Sequence, residues 1–336
     1  EDTAGYRPRS ERQRNEFSGQ SGLICTLHPS LYSQGGKVEE AFPDRNRLLV
    51  WEECREAVDA MENDLSDRLF KQFSLLVYEQ CGINLHEGKK TLLQARLNKR
   101  LRLTGIDSYE EYFKLITSGA NPGEFVNFLD SISTNLTYFF RESQHFDFLD
   151  GVVLPELIAK KLKDRDSRIR IWSAGCSTGE EPYSLAMCVM AHLPEIARWD
   201  LRILATDIST RVLETASRGI YSDEKIQNVP PALRQANFQK ISNSNGKPDF
   251  QVTAQVKRVI TFRRLNFKEP YPFKGLFDFI FCRNVMIYFD KKTQEELVNK
   301  IAGFLSPGGY FFVGHSESLT GLAHKLSYVR PAIYRN

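Results

Sequence analysis

A small-residue turn that follows a short apolar run has the composition of a ligand-binding loop. Gly175 and Gly179, with Ser177 between them, allow the backbone to approach a ligand closely, and the helix start after the turn offers unpaired N–H groups. No Gly-Lys-[Ser/Thr] sequence follows, so a phosphate-binding P-loop is disfavoured. The next two residues, Glu180 and Glu181, would repel phosphate and attract a cationic ligand. Taken alone, the turn fits tight packing equally well.

A second apolar run ends in a carboxylate, Asp207, about thirty residues further along the chain. In a doubly wound sheet this position faces the ligand crevice, where an acid can accept hydrogen bonds from both ribose hydroxyls. Asp207 could instead cap the helix that begins around Thr210. Together with the turn, Asp207 favours a nucleoside-containing ligand. The two features do not distinguish a nicotinamide cofactor from S-adenosylmethionine.

The elements that must position these residues fall into two groups. Between Asp64 and Ile132, apolar residues at helical spacing predict four short helices, with Gly82 ending the first and Ser108 capping the third. After Gly151 the pattern changes, and β-rich runs at 169–172, 201–205, 259–265, 277–282 and 310–313 alternate with helical patterns at 182–190, 210–217 and 293–304. We therefore predict an α/β, doubly wound, Rossmann-like domain preceded by a small all-α domain.

One stretch of the α/β part breaks this alternation. The turn Asn243–Gly246 precedes Phe250 and Val252, which alternate with polar residues. This pattern predicts a small antiparallel β-subdomain inserted in the α/β domain.

Three further motifs narrow the choice of ligand. They are the linker Thr134–Arg141, the strand and polar turn Phe277–Phe289, and the Pro-Gly-Gly turn and strand within Leu305–Ser318. In this arrangement the chain resembles the CheR-type chemotaxis protein-glutamate methyltransferases. The resemblance extends from about Asp64 to the C-terminal residue, and it includes the helical domain and the inserted hairpin.

The resemblance implies an S-adenosylmethionine-dependent methyltransferase domain with S-adenosylhomocysteine as product and no metal. Arg141 matches a position that contacts the cofactor and is also a candidate for orienting the substrate carboxylate, and Tyr288 matches the tyrosine near the transferred methyl group. Of the two acids in the glycine-rich segment, Glu181 is the better candidate for holding the methionine moiety. The positions that match the family's cofactor site are Asn135, Thr137, Arg141, Ala174, Glu180, Glu181, Asp207, Asn266, Phe267, Arg283 and Asn284.

Read without the family, two of these residues have simpler interpretations. Arg141 would serve equally as an interdomain ion-pair residue, and Tyr288 as a core aromatic with a satisfied hydroxyl. His315 is interpreted as structural. A glutamate carboxylate is already ionised at neutral pH, so its methylation needs no histidine base. Arg141 can hold one carboxylate oxygen and leave the other to attack.

Residues 1–62 fall outside the resemblance, and their lack of periodic pattern with many Gly, Ser, Pro and Arg residues predicts a disordered or loosely ordered tail. For the rest, the resemblance implies an all-α substrate-docking domain over 63–133, a linker that contributes to the cofactor site over 134–150, the methyltransferase domain over 151–336, and the β-subdomain over about 221–257. Some family members use that subdomain to bind a pentapeptide at the C-terminus of a receptor. The residues here do not decide whether this chain does so.

The second predicted helix carries a basic arc. Lys89, Arg96, Lys99 and Arg100 fall within about a 100° arc at 100° per residue. A solvated helix face explains such an arc without a partner. In the family the corresponding helix lies along the acidic methylation helices of chemoreceptors, which makes these four residues the predicted substrate-docking surface.

Composition limits the remaining possibilities. The net charge is only +3, and no apolar run approaches the ~20 residues that span a bilayer. The six cysteines show no C-x-x-C pair, so free thiols are expected rather than disulfides or a metal site. We expect a cytoplasmic monomer whose partner is the cytoplasmic helical domain of chemoreceptors, with no nucleic acid and no membrane insertion.

Two alternatives remain open at this level. The protein could methylate another acceptor, such as a small molecule or RNA, although the basic helix lacks the interleaved aromatic residues that RNA binding favours. It could also be a signalling module that binds S-adenosylmethionine without turnover.

Overall fold

The computed structural model describes residues 64–133, 135–193, 195–242 and 248–336. The expected tail over residues 1–62 and the predicted turn Asn243–Gly246 lie outside the described residues, as do Cys25 and Cys54. The cysteines within them are buried free thiols, as predicted: Cys81, Cys176, Cys188 and Cys282. None of the helices in the described ranges combines the length and apolar character needed to cross a membrane.

Residues 64–133 form four α-helices, as the sequence predicts. Their ends follow local chemistry, because the side chains of Ser108 and Asn121 accept hydrogen bonds from the backbone N–H groups of Glu111 and Glu124. Gly82 ends the first helix in the left-handed conformation. The helices are α1 (Asp67–Cys81), α2 (Lys90–Thr104), α3 (Tyr109–Thr117) and α4 (Pro122–Ile132).

The apolar faces of these helices meet in a core of their own. Phe73 of α1, Tyr112 of α3 and Phe128 of α4 are fully buried against one another. The α2 helix contributes leucines at helical spacing, namely Leu93, Leu97 and Leu101.

The rest of the described chain alternates strands with helices. The strands are β1 (Arg168–Ala174), β2 (Asp200–Asp207), β3 (Ile220–Ser222), β4 (Phe238–Ile241), β5 (Asp249–Val252), β6 (Ile260–Arg264), β7 (Phe277–Cys282), β8 (Leu305–Val313), β9 (Ser327–Arg330) and β10 (Ile333–Arg335). The helices are α5 (Ser143–Phe148), α6 (Leu154–Lys163), α7 (Glu180–His192), α8 (Thr210–Arg218), α9 (Pro231–Asn237), α10 (Ala254–Lys257) and α11 (Lys291–Ala302). A π-helical turn, Leu149–Val153, joins α5 to α6.

The main sheet confirms the predicted doubly wound α/β architecture. Its order is β6-β2-β1-β7-β8-β10-β9. Strands β1, β2, β6, β7 and β8 are parallel, and β10 pairs antiparallel with β8 on one side and β9 on the other. In β1, Ile169 and Ile171 pack into one apolar cluster, whereas Trp172 and Ala174 pack into another. This alternation buries both faces of the sheet, with α7 and α8 on the first face and α11 on the second.

The inserted antiparallel sheet is also present, with one strand more than a hairpin. Its order is β3-β5-β4, and Phe250 pairs with Tyr221 on one side and Lys240 on the other. Phe139 from the linker packs edge-on against Tyr221 and Phe238, with ring centroids 4.9 and 5.5 Å apart. The linker is therefore anchored to this small sheet.

Two residues of the basic arc predicted on α2, Arg96 and Arg100, form hydrogen bonds within the helical domain. Arg96 Nη1 donates to the carbonyl oxygens of Ser131 and Ser133 at the end of α4, at 2.6 and 2.9 Å. Arg100 donates to both carboxylate oxygens of Glu124, at 3.0 and 2.5 Å. Both arginines thus hold α2 against α4. Both side chains are partly buried.

The other two residues of the arc have a different environment. Lys89 and Lys99 are exposed, and so is Arg102, a cation outside the predicted arc. A docking role for α2 therefore depends on these side chains.

The Arg100–Glu124 pair generates a stability prediction. Glu124 is only 5% exposed, so an Arg100→Met substitution leaves a buried carboxylate without its cation. We expect the free energy of unfolding, measured by urea denaturation, to fall by about 3 kcal/mol. Adding Glu124→Gln to that variant should restore part of the loss. The control, Lys99→Met on the exposed side of the same helix, should change stability by about 0.5 kcal/mol or less. Equal losses in Arg100→Met and Lys99→Met would contradict this account.

Candidate active site

A cavity of about 340 Å³ lies where the carboxyl ends of β1, β2 and β7 meet the linker and the start of α2. This is the edge at which doubly wound sheets bind their ligands. Most residues predicted for the site line it: Asn135, Thr137, Arg141, Glu181, Asp207, Asn266, Phe267, Arg283, Asn284 and Tyr288, together with Lys89 from the docking set. Ala174 and Glu180 do not line it.

The turn after β1 passes close to neighbouring backbone and side chains. Gly175 has φ +85°, and a Cβ at this position would come within 2.4 Å of Val285 Cγ2. The N–H groups of Gly175 and Cys176 both donate to the carbonyl oxygen of Thr206, at 2.8 and 2.9 Å. Glycine is therefore required for the backbone to form this wall of the cavity.

Asp207 connects this turn to the end of β2. Its carboxylate accepts hydrogen bonds from the N–H groups of Ser177, at 2.8 Å, and Ser209, at 3.0 Å. Burial raises the pKa of Asp207, and these two N–H donors oppose the shift. The N-cap of α8 is Ser209, so Asp207 does not cap that helix. Its position leaves a carboxylate edge on the cavity wall.

Glu180 and Glu181 point in different directions although they are adjacent. Glu181 accepts a hydrogen bond from Ser173 Oγ at 2.8 Å and lines the cavity. Glu180 is fully buried on the other side, where it meets the hydroxyl of Thr178 and the ammonium group of Lys225. Of the two acids, only Glu181 can reach a ligand in the cavity.

Arg283 is a buried cation between two carboxylates. Its side chain is 1% exposed, and its Nε lies 3.4 Å from Glu181 Oε2 and 3.5 Å from Glu142 Oε2. Its Nη2 donates to the carbonyl oxygen of Arg141 at 2.6 Å. Burial raises the pKa of Glu181, and the guanidinium of Arg283 opposes that shift. These contacts join β7 to α7 and to the linker.

Arg141 lies at the mouth of the cavity. Its Nη1 donates to the carbonyl oxygen of Leu136 at 2.9 Å, and its guanidinium lies 5.7 Å from the centroid of the Tyr138 ring. Tyr288 is half-buried and lines the same cavity, and its backbone carbonyl oxygen accepts a hydrogen bond from the N–H of Asn84. Arg141 is therefore held by its own linker with part of its guanidinium facing the cavity.

Asn266 and Asn135 line the cavity while their side chains also bind protein atoms. Asn266 Nδ2 donates to the carbonyl oxygen of Gln80 at 2.6 Å, which joins the segment after β6 to α1. Asn135 Nδ2 donates to Ser133 Oγ, and the backbone carbonyl oxygen of Asn135 accepts a hydrogen bond from Ser177 Oγ. Both asparagines thus join the helical domain or linker to the sheet.

Glu317 supports the site and was not predicted from the sequence. Its carboxylate accepts hydrogen bonds from the N–H groups of Gly314, Asn284, Met286 and Ile287, at 2.6 to 3.3 Å. Asn284 has φ +59°, and the turn that contains it ends at Tyr288. The sequence shows only an acid shortly after β8. It does not reveal the role of that acid, because three of its four N–H donors belong to the turn after β7, which is distant in the sequence.

Asp130 is a second unpredicted carboxylate with the same kind of role. It accepts hydrogen bonds from the N–H and hydroxyl groups of Thr210 and from the N–H of Arg211 at the start of α8. This contact ties α4 of the helical domain to the end of β2. It keeps the helical domain in place as one wall of the cavity.

His145 lies behind Glu142 and is not exposed to the cavity. Burial, with the nearby charge of Arg283, lowers the pKa of His145 to about 3, so the ring is neutral at physiological pH. It packs edge-on against His315, with ring centroids 4.6 Å apart. His315 itself is exposed.

The chain matches two known domains that together account for nearly all its described residues. Residues 68–133 match the all-alpha domain of CheR methyltransferase, and residues 135–334 match its SAM-binding domain. The chain belongs to the CheR methyltransferase family. It therefore carries an S-adenosylmethionine-binding methyltransferase domain.

Individual relatives agree with this assignment. The chain is 42% identical over 280 residues to a chemotaxis protein methyltransferase of Borreliella burgdorferi, a match that covers 83% of this chain and 95% of the relative. It is 38% identical over 272 residues to the chemotaxis protein methyltransferase of Escherichia coli, covering 80% of this chain and 91% of the relative.

The different orientations of Glu180 and Glu181 generate a binding prediction. We expect Glu181→Gln to weaken S-adenosylhomocysteine binding about tenfold or more, because a charged hydrogen-bond acceptor is lost from the cavity wall. Glu180→Gln, the matched control, should change the affinity by about twofold or less, since its side chain points away. Isothermal titration calorimetry measures both affinities. A larger loss in Glu180→Gln than in Glu181→Gln would refute this reading of the site.

Proposed function

We propose that this protein transfers a methyl group from S-adenosylmethionine to glutamate side-chain carboxylates of chemoreceptors, giving glutamate methyl esters and S-adenosylhomocysteine. The observation that carries the proposal is the position of Arg141. This cation lies at the mouth of the cavity, while the acids Glu181 and Asp207 line its interior. The cavity thus offers acceptors to a cofactor and a cation to an anionic substrate.

The groups on the cavity wall fit S-adenosylmethionine. The cofactor carries an ammonium group and two ribose hydroxyls, for which Glu181 and Asp207 provide acceptors. We assign Asn135, Thr137, Asn266, Phe267 and Asn284 to the surrounding contacts. Ala174 and Glu180, also predicted as cofactor residues, act indirectly in this proposal. They shape the end of β1 and the start of α7 without touching the ligand.

Arg283 has a positioning role in the proposal rather than direct cofactor binding. Its guanidinium balances part of the negative charge of Glu142 and Glu181 and fixes the carbonyl group of Arg141. Of these two acids only Glu181 lines the cavity, where its carboxylate provides an acceptor for the ammonium group of the cofactor.

The reaction needs little from the protein beyond placement. When bound, S-adenosylmethionine supplies an electrophilic methyl group on its sulfonium. The accepting carboxylate is ionised at neutral pH, since its reference pKa is about 4.3, so no general base is required. Arg141 holds one carboxylate oxygen by a charge-assisted hydrogen bond and leaves the other free to attack. Tyr288 lines the same space and limits where the carboxylate can lie. No step in this scheme calls for a metal ion.

We further propose how the partner is held. Lys89 and Lys99 on the α2 side of the molecule meet the acidic helices of the receptor's cytoplasmic domain. The edge strands β3 and β4 of the small sheet provide a place where an extended receptor C-terminal peptide could add a strand. In this proposal the protein acts as a monomer in the cytoplasm.

Incubation with methyl-labelled S-adenosylmethionine and receptor-bearing membranes tests the proposal. We expect label on the receptor that mild alkali releases as methanol, because carboxylate methyl esters are base-labile. Alkali-stable label, or label on RNA or a small molecule in a cell extract, would indicate another acceptor. Cofactor binding without any transfer would indicate a signalling module. Each of these outcomes contradicts the proposal.

The same assay tests the role of Arg141. We expect Arg141→Lys to lower turnover about tenfold or more at saturating receptor and cofactor, because an ammonium cannot both hold the Leu136 carbonyl and orient a carboxylate in the same plane. The matched control is Arg198→Lys, since this arginine is exposed and away from the cavity. Undiminished turnover in Arg141→Lys would remove the orienting role.

A further inference from the structure

Large apolar side chains are exposed around the mouth of the cavity. Four of them line the cavity and remain accessible: Leu92 at 39%, Leu136 at 75%, Tyr138 at 40% and Ile287 at 49%. They come from three separate parts of the chain, namely the start of α2, the linker and the short helix that ends at Tyr288. We call these four residues the mouth patch. Exposed apolar residues are common singly, whereas a cluster at a functional opening indicates a contact surface.

Two members of the patch are not needed to form the structure around them. Leu136 holds Arg141 through its backbone carbonyl, and the leucine side chain takes no part in that contact. Ile287 contributes a backbone N–H to Glu317, while its neighbour Met286 fills the core. A polar side chain at either position would keep the same backbone contacts and avoid exposing apolar surface to water.

The charges near the patch indicate the kind of partner. Arg141 and Lys89 line the cavity beside it, and Lys89 is exposed. The acids of the cavity, Glu181 and Asp207, are buried further in. An approaching partner therefore meets positive charge and apolar surface together. A helix that combines carboxylates with apolar side chains complements both.

We propose that the mouth patch binds the apolar side chains that lie one helical turn on either side of the accepting glutamate. This inference rests on the proposed function, because it assumes a helical protein substrate whose glutamate enters the cavity. Residues three or four positions away project from the same helix face as that glutamate. When the carboxylate reaches Arg141, those neighbours face the rim. The patch thereby selects glutamates by their apolar surroundings.

Charge and apolar contact respond differently to salt, which separates this inference from docking by charge alone. Surface ion pairs weaken as ionic strength rises, because exposed charges are screened. Apolar contact is not screened. The patch should therefore contribute to receptor binding equally at low and high salt, whereas Lys89 and Lys99 should contribute mainly at low salt.

The test compares Leu136→Ser, Ile287→Ser and the double variant with wild type. The control is Leu162→Ser, because Leu162 is 60% exposed on α6 and lies outside the cavity lining. We expect the double variant to raise the KM for receptor about tenfold at every ionic strength, with kcat changed less than KM. Binding of S-adenosylhomocysteine, measured by calorimetry, should stay within about twofold of wild type. The control should match wild type in every measurement.

Direct binding of a receptor cytoplasmic fragment, followed by fluorescence anisotropy, makes the result independent of turnover. Weaker binding in the double variant supports the inference even if wild type transfers no methyl group, in which case the proposed function alone fails. Unchanged KM and unchanged fragment binding in the double variant overturn the inference. A change confined to self-association, measured by sedimentation, would make the patch a contact between copies of this chain and would also overturn it.

Discussion

The buried guanidinium of Arg283 is the interaction on which the site depends. It lies at the end of β7 and contacts Glu181 of α7, Glu142 after the linker, and the backbone of Arg141. Without that cation, two largely buried carboxylates would lose their compensating charge, which is among the most costly changes a protein interior can undergo. Glu142, Glu181 and Arg283 must therefore come together as one ion-pair cluster when the protein folds. Their formation places the linker, and with it Arg141, over the carboxyl edge of the sheet.

Other acids arrange the loops around this centre by the same chemistry. Asp207, Glu317 and Asp130 each accept hydrogen bonds from backbone N–H groups of separate segments. Together they fix the turn after β1, the turn after β7 and the start of α8. Backbone donors are rigid, so the walls of the cavity are set before any ligand arrives. Among the described residues, the lining cations that stay accessible to a substrate are Arg141 and Lys89, and Arg141 is the one held by the linker.

The sequence predicted the elements well because their signals are local. Helix caps such as Ser108 and Asn121, and the alternation within β1, depend on neighbouring residues only. Most of the site residues predicted from the family motifs also line one cavity. Long-range pairing could not be predicted in this way. Arg96 and Arg100 read as a basic helix face, yet their partners lie on α4. Glu180 and Glu181 could not be distinguished by spacing, and Glu317 gave no sign of its four backbone donors.

We propose that this cavity holds S-adenosylmethionine with its methyl-bearing end toward Arg141 and Tyr288. A crystal structure of the protein with bound S-adenosylhomocysteine tests it most directly. We predict ribose hydroxyls on Asp207, the ammonium group on Glu181 and the sulfur facing the mouth. Electron density for the ligand elsewhere, or with its sulfur turned away from Arg141, would contradict the account.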